Sequence, residues 1–263
     1  MKILSVNAGS SSLKFQLYEM PEEKVLISGL MERIGVENSF YTIKVNGEKI
    51  KKEVELNNHE EAFETLVKEL EENNVVESLD EIEGIGHRVV QGGDYFDKTV
   101  VIDDEVLAKI DELSSLAPLH NPAAVTGIKA AKDVFPNAVQ TAVFDTAFHQ
   151  TMPKENFLYA LPISWYTDLK VRRYGAHGTS HKFVSQRMNE ILKRDDTKII
   201  TCHIGNGASV SAVLNGKCVN TSMGLTPNAG LIMGTRCGDI DASIIPYVME
   251  KTNMSPKEID NAI

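Results

Sequence analysis

Residues 5–20 read SVNAGSSSLKFQLYEM, and the fold turns on this stretch. An apolar run, KILSV, closes at Asn7; Ala8, Gly9 and three serines follow, and LKFQLY resumes a strand-like alternation. The pattern predicts two strands, 2–7 and 13–19, around a tight turn. Such a turn presents backbone N–H groups, its small residues let an anion come close, and its hydroxyls add donors. Lys14 lies just beyond and reaches a phosphate as a point charge. Asn7 offers a carbonyl oxygen to a magnesium ion or its waters. An ordinary Gly/Ser hairpin with a surface lysine accounts for the same residues, because short glycine-rich motifs are weak evidence. No GxxxxGK[ST] loop occurs.

A second stretch has the same form. In KIITCHIGNGASVSAVLNGKCVNTSM (198–223) a strand runs into the turn His203-Ile204-Gly205-Asn206-Gly207, then into an alternating strand, a turn and a third strand. VNAGSSSLKFQLY and HIGNGASVSAVLN align as two copies of one unit. Two such turns would hold a polyphosphate from both sides. The expected organisation is therefore a duplicated α/β chain, 1–150 and 151–263, with the boundary near residue 150.

Between the two copies the pattern predicts further elements. VLISGLMERI (25–34) and IEGIGHRVV (82–90) read as strands, and Asn46-Gly47 marks a hairpin. Residues 59–74 carry apolar side chains at helical spacing; 103–116 and 122–135 also read as helices. AVQTAVFDTAFH reads as a strand ending near Asp145. After Pro153 another strand region is expected, then a helix from about Thr179 to Leu192, and Ser255-Pro256 opens a last one.

Composition narrows the function. The 263 residues are 42% hydrophobic and 24% charged, enough for two cores, with no membrane-length apolar run. The N-terminus leads directly into a strand without a signal-peptide pattern, so a cytoplasmic location and no membrane partner are expected. Cys202, Cys218 and Cys237 lack metal-ligand spacing and read as free thiols rather than a disulfide or zinc site. A net charge of -10 with no basic patch argues against nucleic acid. An anionic small substrate then needs local cations.

Two arginines stand in informative settings. Arg88 lies inside the apolar strand GHRVV before two glycines, where either a carboxylate partner or a bound anion must satisfy it. Arg236 lies between Gly234 and Gly238, a setting that suits anion binding better than a structural ion pair. Asp145 follows a strand, where open α/β sheets meet ligands, although a helix-capping role explains it equally. His177 sits among small residues just before a helix, where it can donate to a phosphoryl group; His181 reads as packing or capping, and His120 as structural.

In chain order, VNAGSSSLKF, GHRVVQGG, APLHNP, VFDTAFH, YGAHGTSH, HIGNGASV and MGTRCGDID resemble the acetate kinase (acetokinase) family of the sugar kinase, Hsp70 and actin superfamily. The resemblance runs from Met1 to the end of the chain. It implies duplicated actin-like ATPase (ribonuclease H-like) α/β domains around a nucleotide cleft, the second one incomplete. It also implies reversible transfer of the ATP γ-phosphoryl group to acetate, giving acetyl phosphate and ADP with Mg²⁺. By matching motif, Asn7 would help hold Mg²⁺, and Lys14 with His203, Ile204, Gly205, Asn206 and Gly207 would bind ATP phosphate. Arg88 would bind substrate, with Val90, Leu119 and Pro227 forming a small apolar acetate pocket. Asp145 would be the catalytic carboxylate, and His177 and Arg236 would stabilise the transition state. Acetate is already ionised at neutral pH, so Asp145 is expected to orient other groups rather than remove a proton.

The chain departs from the family at Ala176, where Phe is usual near the substrate methyl, at TPNAG (226–230), and at Cys237, where Ser is common. A smaller side chain at 176 either admits propionate or simply loosens the pocket, and a propionate or butyrate kinase is the alternative within the family. An actin- or Hsp70-like ATP-dependent binding module is a further alternative, against which the two arginines and the Val90–Leu119 pair weigh. The resemblance also implies a homodimer. It implies more chain beyond residue 263, with an adenosine-binding motif and a Mg²⁺-ligating glutamate, so weak or absent kinase activity is expected of 1–263 alone.

Overall fold

The computed structural model describes residues Met1–Ile263, which divide into two units, Met1–Phe144 and Asp145–Ile263. The division falls at the end of a strand.

The first unit is built on β1 (Lys2–Gly9), β2 (Ser12–Glu19), β3 (Lys24–Glu32), β4 (Phe40–Val45) and β5 (Glu48–Glu53), an antiparallel meander. Asn46 and Gly47 take φ of 53° and 81°, the left-handed pair that a two-residue hairpin requires. α1 (His59–Glu72), β6 (Ile82–Val89), β7 (Val100–Val101), α2 (Asp104–Glu112), α3 (Asn121–Val134) and β8 (Val139–Phe144) follow. The expected helix 103–116 ends earlier, at Glu112, and finishes as a 3₁₀ turn over Leu113–Ser115. The sheet has eight strands in the order β5-β4-β3-β2-β1-β6-β8-β7. β6 lies parallel to β1 and β8 parallel to β6, whereas β2 opposes β1.

Alternation sets the core. Leu4, Val6, Leu13, Phe15 and Leu17 point inward from β1 and β2, against Phe63, Leu66 and Leu70 of α1. Asn58 caps that helix by accepting from the Glu61 N–H. Gly29 leaves room for the Phe15 ring, which would lie 2.5 Å from an added Cβ. Gly127 brings α3 down on the end of β1, where an added Cβ would lie 2.7 Å from the Ala8 methyl.

The second unit contains α4 (Lys154–Phe157), α5 (Ile163–Leu169), α6 (Gly178–Leu192), the meander β9 (Lys198–Ile204), β10 (Ala208–Leu214) and β11 (Lys217–Thr221), then α7 (Ile244–Thr252) and α8 (Pro256–Asp260). The strand expected after Pro153 is instead the two short helices α4 and α5. Pro153 and Pro162 occupy their N-cap positions, because a ring that fixes φ and lacks an N–H suits a helix start. Ser255 caps α8 in a reciprocal capping box with Glu258. No helix is long and apolar enough to cross a membrane.

Candidate functional site

The first unit gathers its candidate residues at the carboxyl ends of β1 and β6. Asn7 and Lys14 are direct cross-strand partners and so share one face of the sheet. The parallel register pairs Val6 with His87, which sets Asn7 beside Arg88; an Arg88 Nη1 hydrogen bond reaches Asn7 Oδ1 at 3.3 Å. Lys14 is exposed, and Arg88 and Val90 are half-buried. The turn itself is anchored from below, since His59 Nε2 donates to the Gly9 carbonyl at 2.8 Å and the Ile34 N–H to that of Ser11.

The loop after β6 is held by Asn121 at the start of α3. Its side chain donates to the Gln91 and Ile110 carbonyls and accepts the Gln91 N–H, while Gln91 Oε1 accepts the Gly93 N–H. These bonds fix the backbone immediately past Val90. Leu119 is 78% exposed, two positions before that helix.

The donor set for magnesium does not close. Asn7 supplies one amide oxygen, which already accepts from Arg88, and no group of three His, Cys, Asp or Glu side chains suited to a metal exists in the chain. A hard cation that prefers carboxylates and phosphate oxygens is not held by that set alone.

The second unit places His177, Arg236, Pro227 and the His203–Gly207 turn together. Arg236 Nη1 donates to the Pro227 carbonyl at 3.0 Å and lies 3.6 Å from the Met233 sulfur. A guanidinium has five N–H donors, so most of its fork remains for an anion. An added Cβ on Gly207 would lie 3.4 Å from Arg236 Nη1 and 3.6 Å from His177 Cε1. The guanidinium and the imidazole edge therefore meet over the glycine turn. Gly234 makes this approach possible: its N–H donates to the Asn206 carbonyl, and an added Cβ would lie 2.0 Å from Asn206 Oδ1. Gly230 and Asp239 close the loop through two bonds, Gly230 N–H to Asp239 Oδ1 at 2.8 Å and Asp239 N–H to the Gly230 carbonyl at 2.9 Å. Ile204, Gly205 and Asn206 are exposed.

His177 takes φ of 58° at the N-cap of α6, an unfavourable conformation for a residue with a Cβ. The flanking backbone enforces it. Tyr174 and Gly175 N–H groups donate to the Gly224 carbonyl, His149 Nε2 donates to the Ala176 carbonyl, and Gly178 N–H donates to the Asp145 carbonyl. Gly178 sits so close to that carbonyl that an added Cβ would lie 2.2 Å away. Asp145 is thus the buried anchor of the helix start. Ala176 is buried as well.

Beneath the surface lies a group of imidazoles that sequence reasoning did not connect. His177 stacks on His203 with centroids 4.0 Å apart, and His203 Nδ1 bonds Ser180 Oγ at 2.9 Å. His177 Nδ1 lies 2.9 Å from Ser209 Oγ, which also lies 2.7 Å from His181 Nε2. Burial pushes His149 and His181 down to about 4, so both are neutral at pH 7. The available signal was Ser209 and Ser211 at inward positions of an alternating strand where apolar residues are the norm.

The order β3-β2-β1-β6-β8, with β2 alone opposed to the rest, is the ribonuclease H-like arrangement, and with the glycine turn under Arg236 it defines an α/β protein of that class. The chain belongs to the acetokinase family, which matches over residues 2–263. The acetate kinase of Macrococcus caseolyticus is 54% identical over 264 aligned residues, and that of Bacillus mycoides 58% over 260. These cover 100% and 98% of this chain but 66% of each relative, so the chain spans about two thirds of their length. The crystal structure of Porphyromonas gingivalis acetate kinase superposes with a TM-score of 0.94 at 45% identity, covering 100% of this chain and 67% of that one. A propionate kinase from Francisella tularensis superposes equally, at 0.94 and 46% identity, covering 99% and 67%.

Proposed function

We propose that the protein transfers the γ-phosphoryl group of ATP to acetate, reversibly, giving acetyl phosphate and ADP. The observation that carries this reading is the meeting of Arg236 and His177 over Gly207. Phosphoryl transfer needs alignment and stabilised charge more than covalent help. The Gly205–Gly207 turn offers close backbone approach to a phosphate, and Arg236, its fork oriented by the Pro227 carbonyl, places further donors there. A carboxylate oxygen of acetate attacks the γ-phosphorus, and the bond to the ADP oxygen breaks. Arg88 would bind the acetate carboxylate and Val90, Leu119 and Pro227 its methyl group. Acetate enters ionised, so Asp145 acts by position rather than as a base.

The assay is ATP formation from acetyl phosphate and ADP with magnesium. Arg236→Ala is expected to lower kcat by about 10²–10³-fold, the scale for losing a donor to developing charge. Wild-type turnover in that variant would overturn the reading. A second reading, propionate as the preferred acceptor, rests on the buried methyl of Ala176 where the family resemblance implies a Phe. A kcat/KM higher for propionate than for acetate would establish it, and the reverse would remove it.

A further inference from the structure

Tyr159 lies in the link between α4 and α5, half-buried, outside the group of residues that meet over Gly207. Its hydroxyl oxygen accepts the Leu225 N–H at 2.9 Å. The backbone there is pressed onto the phenol: a Cβ added to Gly224 would lie 2.3 Å from the hydroxyl oxygen. Burial pushes the phenol above its ordinary value, so it is neutral at pH 7.

The segment that this bond holds has two attachments. At its start the Gly224 carbonyl accepts from the Tyr174 and Gly175 N–H groups at 3.0 and 3.1 Å. At its end the Pro227 carbonyl accepts from Arg236 Nη1 at 3.0 Å. Little between them can turn. The Gly224 N–H donates to the Thr226 carbonyl at 3.2 Å, and the Asn228 N–H to Thr226 Oγ1 at 3.3 Å. The Pro227 ring fixes its own φ and restricts the backbone of Thr226. The direction of the Pro227 carbonyl therefore follows from where the Leu225 amide is held. The two bonds between Gly230 and Asp239 fix the loop that carries Arg236, but they leave its long side chain to be aimed. The Pro227 carbonyl does that, since the other neighbour of Nη1, the Met233 sulfur, is a weak acceptor.

We infer that Tyr159 is a positioning residue for Arg236: its hydroxyl holds the Leu225 amide and, through the stiff segment 225–227, aims the carbonyl that orients the guanidinium over the glycine turn. A donor aimed in advance need not be ordered when charge develops. That purpose rests on the proposed phosphoryl transfer; the aiming itself does not.

The test is ¹⁵N NMR of the chain labelled at arginine and leucine, with signals assigned by their loss in Arg236→Lys and Leu225→Met. In the cold, the wild type is expected to show resolved Arg236 Nη signals, because the bond to the Pro227 carbonyl restrains rotation, and a slowly exchanging Leu225 amide. In Tyr159→Phe the amide is expected to exchange about tenfold faster and the Arg236 signals to coalesce. A tyrosine that only supports the local fold would move the amide but not the guanidinium. Thr151→Val removes a 2.8 Å bond to the Cys218 carbonyl in the same unit and is expected to change neither. Pro227→Ala keeps the Tyr159 bond but frees the torsion between the two attachments. It is expected to leave Leu225 protected and to coalesce Arg236, and it decides the matter if Tyr159→Phe does not fold. Resolved Arg236 signals in folded Tyr159→Phe, or in Pro227→Ala, overturn the inference. Coalesced signals in the wild type, or equal coalescence in Thr151→Val, do the same. In the acetyl phosphate assay, Tyr159→Phe is expected to lower kcat about tenfold alone and to add nothing to Arg236→Ala. Equal losses on both backgrounds also overturn it. The NMR comparison contains no substrate, so a wild type that does not turn over refutes phosphoryl transfer and leaves the aiming of Arg236 to be judged separately.

Discussion

Gly178→Ala tests the junction on which His177 depends. A Cβ at this position would lie 2.2 Å from the Asp145 carbonyl oxygen and 3.1 Å from both the Asp145 carbonyl carbon and the Phe148 Cβ. The obstacle is backbone, not the end of a flexible side chain, so no rotamer change relieves it. The start of α6 must retreat by about 1 Å to reach ordinary contact. That movement also stretches the 2.9 Å bond from Gly178 N–H to the same carbonyl. Overpacking costs about 1–3 kcal/mol and the buried bond about 1 kcal/mol. Alanine's better helix propensity returns at most about 1 kcal/mol. The net loss is roughly 1–4 kcal/mol, and with a urea slope of about 1–3 kcal/mol/M the midpoint should fall by about 0.3–4 M. Gly86→Ala is the control, because its nearest neighbour would be Thr141 Oγ1 at an ordinary 3.8 Å. The assay is urea unfolding followed by circular dichroism. If Gly178→Ala unfolds at the wild-type midpoint, the backbone contact does not fix the helix start and the account of His177's conformation is wrong.

Acid should weaken the fold before carboxylates titrate. His87, His149 and His181 are each pushed by burial from 6.5 to about 4. Unfolded, they take up protons near 6.5; folded, they do not, so their contribution is whole above pH 6.5 and is lost as pH falls toward 4. The slope is up to about 1.4 kcal/mol per pH unit for each residue, and equal urea midpoints at pH 7 and 5.5 would contradict it. In the first unit, Tyr41 donates its hydroxyl to the carboxylate of Glu69, which is 1% exposed and pairs with Lys52 Nζ at 2.7 Å. Tyr41→Phe is expected to cost roughly 1.5–3 kcal/mol by thermal or urea unfolding; a cost near zero would show that Lys52 and Asn73 satisfy the carboxylate without it. Asp145→Asn should reduce turnover although no base is required, and near-normal turnover would remove that carboxylate from the mechanism.

Much of this was legible in the chain. Asn46-Gly47 and Ser255-Pro256 announce their elements because each meets a local backbone demand. The two small-residue turns, and the positions of Arg88, His177 and Arg236, were visible as polar or cationic residues set among glycines and apolar neighbours. Two short helices stand where the sequence predicts a strand after Pro153, since ISWYTDL is too short to display a helical period. The hydrogen-bonded group around Ser209 was illegible for a different reason. Its members lie at 177, 181, 201 and 209, and only the pairing of β9 with β10 and the packing of α6 against them bring the four together.

The borders of the eight-stranded sheet carry one further implication. At one side the last strand is β5, EKIKKE, with a single apolar side chain; at the other it is β7, only Val100–Val101. An added chain would meet rows of charge on the first and almost no ladder to extend on the second. Sideways recruitment of foreign strands, the usual entry to fibrous aggregates, is therefore disfavoured at both rims of this sheet.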